Sequence, residues 1–96
     1  MRTIVLDGNE MLTRPALHDY LAARLSLPAH YGRNLDALAD CLSDMGRATL
    51  LVLYQQEKML AALGEYGATL LAVLRSAAEE NPRLTLALDG EESIEI

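Results

Sequence analysis

Leu27-Pro28-Ala29-His30-Tyr31-Gly32-Arg33-Asn34-Leu35-Asp36-Ala37-Leu38-Ala39-Asp40-Cys41-Leu42 reads as a loop that runs into a helix. Asn34 suits the N-cap, where its side chain accepts a hydrogen bond from a free backbone N–H. Leu35, Leu38, Leu42 and Met45 recur at helical spacing and predict the buried stripe. Asp36, Asp40 and Asp44 stand four residues apart on a different face. No Lys or Arg lies between Asn34 and Gly46 to offset them. Like charges at this spacing cost a few tenths of a kcal/mol per pair. Asp36 suits the helix dipole, whereas Asp40 and Asp44, nearer the C-terminus, oppose it. Such a stripe predicts a use other than folding.

Outward from this helix the chain alternates cleanly. Thr3-Ile4-Val5-Leu6 is a β-branched run ended by Asp7-Gly8-Asn9, a strand and a turn. Pro15 followed by Leu17, Tyr20, Leu21 and Leu25 predicts an amphipathic first helix, ended by Leu27-Pro28. The acidic helix stops near Gly46. Thr49-Leu50-Leu51-Val52-Leu53-Tyr54 is apolar almost throughout, as a central strand would be. Gln55 to Leu63 reads as a short helix closed by Gly64, and Tyr66 to Glu80 as a longer one stopped by Asn81-Pro82. Leu84 to Leu88 alternates by period two and makes a last strand. The order β-α-α-β-α-α-β predicts an α/β fold of two layers. Its three-stranded sheet is parallel, in order 1-2-3, with about four helices mostly on one face.

Composition bounds the rest. A chain of 96 residues with 51% hydrophobic content predicts one packed domain over 1–96, with an acidic tail over 90–96. A net charge of −6 and a pI of about 4.7 argue against nucleic-acid binding and for a basic protein partner. The single cysteine, Cys41, makes no internal disulfide, and the apolar run near Met1 is too short for a signal peptide. No stretch approaches the roughly 18 apolar residues of a membrane span. The expectation is a cytoplasmic protein, monomeric when free.

Enzymatic readings are weak on the residues alone. Asp36 and Asp40 can be read as paired carboxylates, but such pairs are common on solvated helix faces. His30 can serve as a base or ligand, and His30 with Asp36, Asp40 and Asp44 as a metal site, yet no strong ligand spacing is present. His18, mid-helix among leucines, reads as structural or solvated. Cys41 reads as a small buried hydrophobe in acidic surroundings unsuited to a thiolate. No Gly-rich phosphate loop occurs. An acid-studded helix behind a loop with His30, Tyr31 and Asn34 instead offers carboxylates to Arg and Lys clusters in place of phosphate. The residues by themselves leave three readings open: a protein-interaction module facing a basic partner, a small enzyme or metal-dependent domain using His30, Asp36 and Asp40, and a merely solvated face.

The run LPAHYGRNLDALADCL resembles the signature of the barstar-like family of intracellular ribonuclease inhibitors, close to L-P-x-Y-Y-G-x-N-L-D-A-L-W-D-C-L. The element order agrees, and Gly67-Ala68 through Glu79-Glu80 looks like the family's last helix, so the resemblance covers Arg2 to Asp89. It implies an inhibitor without catalytic residues, cofactor or metal. In that family the loop and second helix enter the ribonuclease cleft, with carboxylates in the place of RNA phosphate. The resemblance makes Asp40 the central carboxylate and Asp36 its neighbour, with Asn34 and Leu35 at the helix tip. Gly32 lets the loop approach closely, Ser43 matches a rim threonine, and Glu80 matches an acidic residue that reaches the same partner.

The chain departs from the family pattern at named places. His30 stands for a tyrosine, Ala39 for the tryptophan before the central Asp, Met45 for a second tryptophan and Ser76 for a glutamate. Asp44 replaces a glycine and adds a charge. These changes predict a basic secreted or toxin nuclease other than barnase as the partner, such as the toxin half of a toxin–immunity pair.

Overall fold

A computed structural model describes residues 1–89, so the expected acidic tail over 90–96 lies outside the described residues. The elements are β1 (Arg2–Asp7), a 3₁₀ turn (Gly8–Glu10), α1 (Arg14–Arg24), α2 (Leu35–Ser43), β2 (Thr49–Tyr54), α3 (Gln56–Leu63), α4 (Glu65–Glu80) and β3 (Leu84–Leu88). The strands form one parallel sheet in the order β1-β2-β3, as the element order predicts.

Register decides which face is buried. Ile4 pairs with Leu51 and Leu51 with Leu86; Leu6 pairs with Leu53 and Leu53 with Leu88. Leu6, Leu51 and Leu53 in this row are fully buried, together with Leu17, Leu21, Leu38, Leu42, Leu70 and Leu74 from the helices. Each such side chain contributes about 1.5–3 kcal/mol by leaving water. The alternate row, Val5 with Val52 and Ala87, is left open, and Val5 is 44% exposed. The apolar run of β2 therefore reflects its central place and not a second layer of helices.

Helix α1 is capped by Thr13, whose hydroxyl accepts from the Ala16 N–H at 3.2 Å. It stops before the expected Leu27-Pro28. Ser26 turns left-handed, with φ 55°, and the Leu27 N–H donates to the Ala22 carbonyl at 3.0 Å. That six-to-one bond closes the last turn without help from the proline. On the outer edge of β1, the Tyr20 hydroxyl accepts from the Asp7 N–H at 2.9 Å. There too, Arg24 Nη2 donates to the Val5 carbonyl at 3.2 Å. These contacts occupy groups that an edge strand would otherwise offer to another chain.

Two polar residues tie the ends of elements together. Asp89 opens the acidic tail in the sequence, but its carboxylate accepts from the Gln55 N–H at 2.7 Å and so sits at the start of α3. A Cβ on Gly8 would lie 2.1 Å from the Gln55 carbonyl oxygen, so this crossing requires glycine. Asn81, buried after α4, donates from Nδ2 to the Leu42 and Met45 carbonyls at 2.9 and 3.0 Å, closing the end of α2. Its Oδ1 accepts from the Arg83 N–H at 3.0 Å. Asn81→Ala leaves these groups unpaired and is expected to cost roughly 1–3 kcal/mol in urea unfolding, with the midpoint lowered. An unchanged midpoint would show that water replaces the amide at no cost.

Candidate functional site

The loop before α2 is held from beneath by a buried histidine. His18 Nδ1 lies 2.6 Å from the Tyr31 hydroxyl, and Nε2 lies 2.6 Å from the Tyr66 hydroxyl. In a neutral imidazole one nitrogen donates and the other accepts, so the three side chains satisfy one another. The sequence reading puts Tyr31 on the projecting surface; the structure buries it at 8% exposure, with His18 at 3%. Burial pushes the Tyr31 hydroxyl up to about 12, with Cys41 and Tyr66 adding to the effect. Burial, and secondarily the Arg33 charge, holds the His18 imidazole below its ordinary 6.5.

The sign of the resulting linkage follows directly. The unfolded chain takes a proton on His18 near 6.5, and the folded chain only at lower pH. Stability is therefore full above that value and is lost as pH falls from 6.5 toward the folded value. Thermal melts across this range are expected to show that decline, and His18→Gln is expected to remove the part due to His18. Parallel profiles for parent and variant would contradict it.

Beyond Tyr31 the chain turns through Arg33, whose φ is 57° and whose guanidinium pairs with Asp19 of α1. Asn34 is the N-cap, its Oδ1 accepting from the Ala37 N–H at 2.7 Å and its Nδ2 donating to the Gly32 carbonyl at 3.2 Å. A Cβ on Gly32 would stand 3.2 Å from Asn34 Nδ2 and 3.3 Å from the Ala37 Cβ, so glycine keeps the cap uncrowded. His30 is exposed at the loop tip.

Leu38 and Leu42 anchor α2 in the core, while Leu35 and Met45 are half-buried. Asp36, Asp40 and Asp44 are all exposed. Their carboxylates form no ion pair or hydrogen bond among the described residues. The helix ends at Ser43, short of the expected Gly46, with Asp44 as C-cap donating its N–H to the Asp40 carbonyl. Asp44 therefore sits at the negative end of the dipole. Cys41 is half-buried, less enclosed than its sequence reading, and burial, then Asp40 and Asp44, pushes its thiol up. A thiol so placed is a poor nucleophile.

Three depressions surround α2 and divide the sequence-derived candidates among them. The first, about 430 Å³, lies between the loop and α2 and is lined by His30, Tyr31, Gly32, Asp40, Asp44 and Met45. Arg2 and Arg47 line it as well. Arg47 follows Asp44 by three residues, whereas the place of Arg2 beside the acidic stripe is invisible in the local sequence, because the sheet brings it there. The second, about 230 Å³, lies between α2 and α4, where Ala39, Ser43, Ser76 and Glu80 meet. The third, about 510 Å³, is at the start of α2, lined by Asn34, Leu35 and Asp36 with Arg14, Arg33 and Tyr66. Among the described residues no three of His, Cys, Asp and Glu stand where they could hold a metal ion. None of the described helices is long and apolar enough to cross a membrane.

The chain is similar in sequence to known proteins. The family model described as "Barstar (barnase inhibitor)" matches residues 1–91. A curated Bacillus subtilis (strain 168) protein named "Putative ribonuclease inhibitor YrdF" is 43% identical over 81 residues, covering 83% of this chain and 89% of that protein. Sheet order, capped acidic helix and family match agree, and the chain belongs to the barstar family.

Proposed function

We propose that this protein is an intracellular inhibitor or immunity protein that blocks the active site of a basic ribonuclease with α2 and the loop before it. The observation that carries the reading is the pairing of charge with concavity. Asp40 and Asp44, whose carboxylates form no ion pair among the described residues, line a 430 Å³ cleft shared with the loop and with Arg2 and Arg47. Carboxylates held there stand in for RNA phosphate and meet the nuclease's Arg, Lys and His groups through charge-assisted hydrogen bonds. Asp36 extends the face toward the helix tip, where Asn34 and Leu35 make contact. Ser43, Ser76 and Glu80 extend it across to α4. Tyr31 contributes from below by fixing the loop. The protein acts as a plug, without catalysis, metal or cofactor. The belonging to the barstar family and the name of the Bacillus relative support this reading.

His30, Ala39, Met45, Ser76 and Asp44 give this chain a rim unlike the family pattern, with small residues where large aromatic contacts would be. The partner is accordingly a nuclease other than barnase, of the secreted or toxin kind, met in the cytoplasm of the producing cell. The test is RNA cleavage by a panel of small basic ribonucleases, barnase among them, titrated with the protein. Inhibition of at least one enzyme, saturating at one-to-one stoichiometry, is expected. Association in stopped-flow should slow steeply as salt rises, because an acidic face meeting a basic cleft is electrostatically steered. Failure to inhibit any enzyme of the panel, or RNA cleavage by the protein itself, would contradict the reading.

A further inference from the structure

The two edges of the sheet are unlike. Along β1 the Tyr20 hydroxyl and the Arg24 guanidinium occupy outward backbone groups. Along β3 no such cover stands among the described residues. The Thr49 N–H donates to the Arg83 carbonyl at 2.8 Å and the Asp89 N–H to the Leu53 carbonyl at 3.1 Å, so the odd-numbered residues of this strand bond to β2. Backbone groups alternate in direction along a strand, and the N–H and C=O of Leu86 and Leu88 therefore point to the outer edge. None of them has a partner among the described residues. Leu84 to Leu88 holds no charge, no Pro and no Gly, the residues that usually blunt an edge. Leu86 is only half-buried where Leu84 and Leu88, in the same row, are buried.

We propose that the free edge of β3 pairs with the same edge of a second copy of this chain, antiparallel about a two-fold axis at Leu86, to form one continuous six-stranded sheet. The strand is self-complementary in that register, as a two-fold interface requires. Leu86 faces Leu86 of the second copy, and each Leu86 N–H donates to the other's carbonyl. Leu84 faces Leu88 and Thr85 faces Ala87, so apolar rows on both faces of the sheet run on unbroken. The flanking residues complete the match, because Arg83 then stands opposite Asp89 of the second copy, once on each side of the axis. Arg83 is exposed and its guanidinium pairs with nothing among the described residues. The Asp89 carboxylate accepts from the Gln55 and Gln56 N–H groups and keeps lone pairs for a cation. No residue from Arg83 to Asp89 lines a cleft beside α2, so the pairing uses none of the residues of the inhibitor reading and goes beyond it. The net charge of −6 per copy opposes association, and a single strand pair buries little area, so the dimer is weak and the dilute chain monomeric.

The test uses the full chain, ¹⁵N-labelled, and no ribonuclease, so it can fail while the inhibitor reading stands. Sedimentation and amide spectra are followed from about 10 μM to about 1 mM at physiological ionic strength, the range in which small interfaces associate. A dimer is expected to grow in over this range, with shifts centred on residues 83–89 and slowed exchange of the Leu86 and Leu88 amides only at high concentration. A mixture of ¹³C-labelled and unlabelled copies should show contacts between Thr85 of one and Ala87 of the other. Arg83→Glu turns both flanking pairs into repulsions and should weaken the dimer about tenfold, with the thermal melt of the dilute protein unchanged. Leu86→Lys sets two like charges across the axis and should abolish it. A monomer throughout the range, shifts centred on α2, or an Arg83→Glu variant that dimerises like the parent would overturn the proposal. So would Leu86 and Leu88 amides protected equally at all concentrations, which would assign the edge to residues 90–96 of the same chain.

Discussion

Asp40→Ala is expected to remove most of the inhibition while leaving the fold intact. Asp40 is exposed on α2 and its carboxylate has no partner among the described residues, so truncation disturbs no core and relieves repulsion from Asp36 and Asp44. In the proposed complex the same change would strand the nuclease's cationic groups in a desolvated cleft without a counter-charge. Breaking one partner of a buried charge pair costs about 3–5 kcal/mol, roughly two to three and a half orders of magnitude in Kd. Asp36→Ala should cost less and Asp44→Ala least, since Asp44 sits at the helix end, where solvent screens it. Calorimetric titration of the three variants against the inhibited ribonuclease, beside their thermal melts, reads both effects. Parent-like binding by Asp40→Ala, or weaker binding that only tracks unfolding, would remove the phosphate-mimic mechanism.

Leu38→Ala is expected to be among the most damaging single changes to the fold. Leu38 is fully buried beneath the acidic face and joins α2 to the core. Removing its branched end forfeits the transfer energy and leaves a cavity, together about 2–5 kcal/mol. In a domain of this size that lowers the melting temperature by roughly 10 °C or more. The affinity per folded molecule should change far less than for Asp40→Ala. A melting temperature within a degree or two of the parent would show that α2 is anchored by something other than this stripe.

These two residues show where sequence is a sufficient guide and where it stops. Leu38 and Asp40 are separated by local periodicity alone, because one helix must bury one stripe and expose another. The same periodicity, with the alternation of Leu84 to Leu88 and the apolar run of β2, carries the order of elements and of strands. What the sequence reading misses comes from contacts distant along the chain. Tyr31 reads as a surface residue because its partner His18 lies on another helix, and the pair is completed only by Tyr66 of α4. Arg2 joins the acidic cleft only once β1 and β2 are side by side. The end of α2 is closed for the same reason, by Asn81 from beyond α4, while α1 ends on a local bond from the Leu27 N–H to the Ala22 carbonyl. The aspartate stripe was legible because it violates good helix design, and such violations gather at sites with a use.

Amide hydrogen exchange of the protein, free and bound to a ribonuclease that it inhibits, tests the central claim most directly. Binding through α2 and its loop predicts slowed exchange over residues 30–45 and near 76–80, with the open sheet face around Val5 and Tyr54 unchanged. Protection confined to that sheet face, with α2 exchanging as in the free protein, would contradict the account.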